Sequence, residues 1–131
     1  MGDEKHLAII QLSYLRDLQH QFQREITELI DIYLHDAKRK LANLHKALEE
    51  ENYANYIGAA RELRLRSVDV GAIRFSYYCL QLEVAVQEMR LESVNKLTFF
   101  LEASFDVVSE ALEHIKSKTT KKEGAPAKEH S

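Results

Sequence analysis

The sequence predicts an all-α protein, and three observations lead to this prediction. No glycine or proline occurs between residues 3 and 57, and the chain's single proline is Pro126, so little interrupts a helix before the C-terminal end. Apolar residues recur at helical steps of three and four along most of the chain. No window shows the period-two alternation that is typical of a half-buried strand.

Five amphipathic segments follow one another along the chain. They predict a short helix over residues 7–18 and long helices over residues 22–48, 53–70, 72–90 and 93–116. Asn52 and Ser93 are candidate N-caps, and Gly71 can end the third helix because glycine adopts a positive φ at little cost. Four long helices with short connections pack most simply as an antiparallel up-and-down four-helix bundle, with the short N-terminal helix as an addition.

Each long helix has one face that we expect to point into the bundle. The predicted inward residues are Phe22, Ile26, Leu29, Tyr33, Ala37, Leu41, Leu44 and Leu48 on the second helix; Tyr56, Ala59, Ala60, Leu63, Ser67 and Val70 on the third; Phe75, Tyr78, Cys79, Leu82, Val86 and Met89 on the fourth; and Val94, Leu97, Leu101, Ser104, Phe105, Val108, Leu112 and Ile115 on the fifth.

The predicted domain covers residues 7–116. Residues 1–6 are expected to be a disordered N-terminus. Residues 117–131 lack large apolar side chains and are rich in lysine, so they are expected to form a disordered tail.

The composition argues against several classes of function. The net charge is −3, and residues 1–115 are more acidic than the whole, so a nucleic-acid partner is not expected. No apolar run is long enough for a membrane span, and no signal peptide is visible, so we expect a cytoplasmic protein that does not bind membranes. The single cysteine allows no intramolecular disulfide.

No enzyme active site, metal site or cofactor site is visible in the sequence. The six histidines include no pair at the i, i+4 spacing that helical metal sites use. Ser67 and Cys79 fall on inward faces with no histidine nearby in the pattern, which does not favour nucleophilic catalysis. The four glycines are scattered and form no phosphate-binding loop.

Two helices carry apolar residues on the side opposite the core. On the third helix these outward positions mix arginine with aliphatic residues, as protein interfaces do; they are Ile57, Arg61, Arg64, Leu65 and Val68. On the fourth helix they form a second stripe of Ile73, Tyr77, Leu80 and Val84. Either the short first helix or a second protein chain can cover this stripe.

The third helix resembles the signature of histidine phosphotransfer (HPt) domains, which runs His-x-Leu-Lys-Gly-Ser, a short spacer, then Gly and usually Ala. The matching string here starts at Arg61 and ends at Gly71-Ala72, with Leu63 at the motif's leucine and Arg64 at its lysine. The resemblance extends over residues 7–115, including the stretch YLHDAKRKLANLHKAL of the second helix. It implies the same bundle.

The departures from the motif imply a degenerate HPt domain. Arg61 stands at the phosphate-accepting histidine, and a guanidinium neither attacks nor relays phosphate. Leu65 and Arg66 stand at the motif's glycine and serine. The resemblance therefore implies a non-catalytic adaptor that docks on a response-regulator receiver domain or a histidine kinase, with Arg61 directed at an acidic pocket.

Two alternatives stay open. The bundle can serve an unrelated partner or form a homodimer through the stripe on the fourth helix. It can also be a phosphotransferase that uses another histidine, such as His35 or His45.

Overall fold

The computed structural model describes the backbone of residues 6–129 and the side chains of residues 6–119. In chain order, its helices are α1 (Leu12–Phe22), α2 (Ile26–Glu49), α3 (Tyr53–Asp69), α4 (Ile73–Gln87) and α5 (Leu91–Glu129).

The four long helices close into a ring. α3 packs between α2 and α4, and α5 packs against α4 and α2, while α1 lies on α2 and α3. Connections of a few residues make consecutive helices antiparallel. The predicted all-α bundle with a short additional N-terminal helix is therefore confirmed.

The core is apolar and is crossed by two buried hydroxyl pairs. The Tyr33 and Ser67 hydroxyls share a hydrogen bond of 2.7 Å between α2 and α3. The Tyr56 and Thr98 hydroxyls share one of 2.5 Å between α3 and α5, and Thr98 also donates to the Val94 carbonyl. Within the described side chains, no buried polar atom lacks a partner. These links fix the helices at positions where an unpaired hydroxyl would be costly.

Most of the predicted inward residues are buried or half-buried, and the two exposed ones lie at helix ends. Phe22 and Met89 are exposed, so their assignment to the core was wrong. Phe22 is the last residue of α1, and Gln23 then takes a left-handed conformation that ends the helix. Met89 has a positive φ in the α4–α5 turn, which carries its side chain off the helical face. Periodicity alone does not show where the periodic backbone stops.

The N-terminal caps were predicted with mixed success. The Asn52 side chain accepts a hydrogen bond from the Asn55 amide at 3.1 Å, which confirms this N-cap. Ser93 is not a cap, because α5 already begins at Leu91.

The first helix starts later than predicted, at Leu12 instead of Leu7. The preceding residues cross the α3–α4 turn. The Gln11 amide donates to the Gly71 carbonyl at 2.7 Å, and the Arg74 amide donates to the Ala8 carbonyl at 2.9 Å. Backbone partners on another part of the chain thus replace the helical hydrogen bonds of this segment.

The last helix is longer than predicted. Its backbone continues past Lys116 to Glu129, over residues that the sequence assigned to a disordered tail. Lys and Glu have favourable helix propensity, and the first glycine or proline after Lys116 is Gly124. Residues 1–5, 130 and 131 lie outside the described residues, and the domain limits at residues 7 and 116 stay a prediction.

None of the described helices combines the length and apolar character that a membrane crossing requires.

Gly71 is the position at which the fold most clearly requires glycine. Its φ is +82°, and a Cβ built on it would collide with the Gln11 carbonyl oxygen. We expect Gly71→Ala to lower the free energy of unfolding by about 2–4 kcal/mol, from the left-handed penalty and the overlap together. Urea denaturation followed by circular dichroism measures this loss.

Gly58→Ala is the matched control. Gly58 lies within α3, and a Cβ there would meet no atom within 4 Å. Alanine is favoured over glycine in a helix by roughly 0.5–1 kcal/mol, so this variant should be more stable than the parent. Equal effects of the two substitutions would show that the turn at Gly71 does not impose the conformation described.

Candidate docking surface on α3 and α4

The outward residues predicted on α3 do share one face of the helix, which we call the α3 face (Ile57, Arg61, Arg64, Leu65 and Val68). The Leu65 residue is 52% exposed, and Ile57 and Val68 are half-buried. The Arg61 side chain is 51% exposed and that of Arg64 is 27% exposed. The face therefore offers apolar surface beside a guanidinium.

A buried carboxylate on α4 holds both arginines of this face. Glu83 has a side chain only 4% exposed. The Arg64 Nε donates to its Oε2 at 2.5 Å and the Arg64 Nη2 donates to its Oε1 at 3.3 Å. The Arg61 Nε donates to the same Oε1 at 3.3 Å. We call Arg61, Arg64 and Glu83 the Glu83 cluster.

The two arginines have different roles in the Glu83 cluster. Arg64 binds the carboxylate through two of its nitrogens, a paired geometry that is strong and directional. The hydrogen bond to Glu83 raises the pKa of Arg64, which keeps its charge fixed. Arg61 makes one long hydrogen bond and is more exposed. The charges of Arg64 and Glu83 cancel each other, so the net positive charge of the cluster is that of Arg61.

The other nearby arginines do not join this cluster. Arg66 pairs with Asp69 one turn along α3, at 3.6 Å. Arg74 donates its Nε to the Leu7 carbonyl at 3.0 Å and so holds the N-terminal segment. The arginine-rich sequence of this region therefore serves several separate contacts instead of one positive patch.

The predicted second stripe on α4 also lies at the surface. Tyr77 and Leu80 are exposed, and Ile73 and Val84 are half-buried. α1 packs on α2 and α3 and does not reach α4, so the first helix does not cover this stripe.

Ser67 and Cys79, the two side chains considered as nucleophiles, are inaccessible to solvent. Ser67 is fully buried and bonded to Tyr33. Burial raises the pKa of the Cys79 thiol well above its usual range, and the Glu83 carboxylate raises it further. A buried, protonated thiol is a poor nucleophile. Among the described residues, no group of three His, Cys, Asp or Glu side chains could hold a metal ion.

The two histidines considered as alternative phosphate acceptors lie on α2. The His45 Nε2 contacts the Glu102 carboxylate of α5. His35 is exposed and lines a groove of about 880 Å³ between α1, α2 and the end of α3. Neither histidine belongs to the α3 face.

The sequence reasoning missed Glu83, although a signal was present. Arg74 and Glu83 are the only charged residues in α4. A single carboxylate in a largely apolar helix, beside a helix rich in arginine, indicates a buried ion pair. The helical pattern did not place Glu83, because the apolar residues of α4 lie on two sides of the helix and Glu83 belongs to neither stripe.

A solved structure has the same fold. The crystal structure of histidine-containing phosphotransfer protein B (HptB) from Pseudomonas aeruginosa PAO1 matches with a TM-score of 0.77 and 23% sequence identity, over 84% of this chain and 96% of that chain. No protein-family model and no curated protein matches the chain. The similarity establishes a fold shared with an HPt protein.

Arg64 should matter more to stability than Arg61. Arg64→Ala leaves the Glu83 carboxylate buried with one long hydrogen bond, which we expect to cost about 2–3 kcal/mol of unfolding free energy. Arg61→Ala removes a half-exposed partner and should cost no more than about 1 kcal/mol. Chemical denaturation of both variants measures the difference.

Glu83→Gln provides the control for this comparison. In the Arg64→Ala background it replaces a buried charge with a neutral amide and should recover part of the lost stability. If Glu83→Gln lowers stability further in that background, the loss does not come from an unpaired carboxylate.

Proposed function

We propose that this chain is an HPt-like docking module that takes part in a two-component phosphorelay without carrying phosphate. Its α3 face binds a receiver domain of a response regulator or the corresponding surface of a histidine kinase. The observation that carries the proposal is the placement of Arg61: a half-exposed guanidinium, tied to Glu83, at the position that the motif gives to the reactive histidine.

The chemistry of this position favours binding over transfer. Arginine stays protonated at neutral pH and has no lone pair available to attack phosphorus. Leu65, at the motif's glycine, is exposed beside it and adds bulk where a reacting partner would need to approach. The α3 face contains no serine, cysteine or histidine that could take over the role.

The same features suit a partner with an acidic pocket rimmed by apolar side chains. Glu83 restrains Arg61 before binding, which lowers the entropy lost when the guanidinium is fixed at an interface. Leu65, Ile57 and Val68 provide the apolar contact around it. Arginine is enriched in protein interfaces and among the residues that contribute most to their affinity.

The contribution of Arg61 to binding can be tested by substitution, with another arginine of α3 as the control. Arg61→Ala should weaken binding to the cognate receiver domain by about 2 kcal/mol, or roughly 30-fold, because the acidic pocket loses its counter-charge. Isothermal titration calorimetry against the receiver domains encoded by the same genome measures this.

Arg66→Ala is the control, since Arg66 is an exposed arginine of α3 that pairs with Asp69 outside the α3 face. Its affinity should stay within a factor of two or so of the parent. If both variants bind as the parent does, or both lose affinity equally, the α3 face is not the docking surface.

The absence of transfer is a separate prediction. Incubated with a ³²P-labelled phospho-receiver, the parent chain should acquire no acid-labile label, because Arg61 cannot form a phosphoramidate under these conditions. Gel autoradiography with and without acid treatment is the measurement. A label that disappears in His35→Ala or His45→Ala would instead establish a phosphotransferase that uses α2.

A further inference from the structure

The outer side of α5 carries an apolar surface that the bundle does not use. Phe99 is 78% exposed, more than any other large apolar side chain in the described region, and Phe100 and Val107 are also exposed. Exposed aromatic residues grouped on one helix face indicate an interaction surface. Neither the core pattern nor the HPt resemblance accounts for them.

Phe99 and Val107 belong to a regular stripe along α5, which we call the α5 stripe. It consists of Glu92, Lys96, Phe99, Ala103, Val107, Glu110 and His114, all of them exposed. The steps along it are four, three, four, four, three and four residues. The stripe has the same spacing in either direction from Ala103.

The α5 stripe is self-complementary in charge and apolar character about Ala103. When two copies of the helix run antiparallel with their Ala103 residues together, Lys96 of each copy faces Glu110 of the other, and Glu92 faces His114. Phe99 of each copy then faces Val107 of the other. The opposite charges of Lys96 and Glu110 thus meet at both ends, and apolar side chains meet in the middle.

The centre of the α5 stripe allows a close helix crossing. Ala103 has the smallest side chain of the stripe. A groove of about 250 Å³ beside it, lined by Tyr78, Phe100, Ala103 and Val107 among others, offers apolar walls to an aromatic side chain. Ring contact with Tyr78, at 4.8 Å between centroids, holds Phe100 at this edge.

The three charged residues and the histidine of the α5 stripe are available for such a contact. Within residues 6–119, the side chains of Glu92, Lys96, Glu110 and His114 form no ion pair. Nearby charged residues on other sides of α5 do form them, as Lys116 does with Asp31 at 2.7 Å.

We propose that the occupant of this surface is a second copy of the chain, and that the protein forms an antiparallel, two-fold symmetric dimer through the α5 stripe. In a two-fold interface each contact occurs twice, and a self-complementary patch is what such symmetry requires. This dimer uses a different surface from the α4 stripe, and it does not depend on the proposed docking function.

Charge exchange at one pair gives the sharpest test. Lys96→Glu and Glu110→Lys each place like charges opposite one another in the homodimer, so each should raise the dimer dissociation constant at least tenfold. The double variant Lys96→Glu with Glu110→Lys restores opposite charges and should return to the parent value. Sedimentation equilibrium over a range of concentrations measures all four proteins.

Mixing the two single variants adds an independent result. Lys96→Glu chains and Glu110→Lys chains have complementary charges across the two-fold, so the mixture should form heterodimers more tightly than either variant forms homodimers. Native mass spectrometry resolves the species when one chain carries a mass label. A mixture that stays as two separate populations overturns the proposed register.

Ala103→Cys locates the two-fold axis directly. Interaxial distances of about 8–10 Å and a Cα radius of about 2.3 Å bring facing Cα atoms within disulfide reach. Mild oxidation should therefore cross-link this variant into a covalent dimer. Glu62→Cys, on the exposed side of α3, is the control that should stay uncross-linked, and the buried native Cys79 should not react in either.

Two further outcomes overturn the proposal. One is a parent protein that sediments at the monomer mass of 15.2 kDa at every accessible concentration. The other is a dimer that is weakened by Leu80→Glu and unaffected by Phe99→Glu, which would place the interface on α4. Circular dichroism of the variants checks that their folding is unchanged, as the exposure of these side chains leads us to expect.

Discussion

The burial of Glu83 is the constraint on which the α3 surface depends. A carboxylate removed from water needs a counter-charge with good hydrogen-bond geometry, and Arg64 supplies it through two nitrogens. This contact fixes α3 against α4 and leaves Arg64 little capacity for a partner. Arg61 shares the same carboxylate more loosely, so its guanidinium is both restrained and half-exposed. In this cluster Arg64 has a structural role and Arg61 faces solvent, although the two arginines lie only one helical turn apart on α3.

The sequence predicted the class of fold and most of the core, because apolar periodicity reports burial wherever the backbone is regular. It failed where that regularity ends. Phe22 and Met89 continue an apolar stripe in the sequence, but the backbone turns at or next to them, and both side chains lie at the surface. Residues before Leu12 also have helical periodicity, yet they bond across the turn at Gly71. Tertiary contacts of this kind leave no local pattern.

Periodicity put the residues of the α3 face outside the core, where the structure also has them, but it did not indicate the partner of the arginines. The angular position of Arg64 follows from 100° per residue. Its pairing depends on Glu83, which belongs to another helix and faces neither the core stripe nor the outer stripe of α4. Helix packing determines which partner each of Arg64, Arg66 and Arg74 binds. A single sequence therefore indicates which side chains share a face and does not indicate which charges meet.

The two proposed surfaces lie on different sides of the bundle, and this affects how they can work together. α3 and α5 each pack against α2 and α4 and occupy opposite positions in the ring. A dimer joined through α5 would leave both α3 faces open and would present two docking surfaces in one particle. Binding one partner would raise the effective concentration at the second site when the partner is itself dimeric. Under the proposed function the chain competes by occupancy alone, so such a gain in avidity would directly increase its effect on the proposed relay.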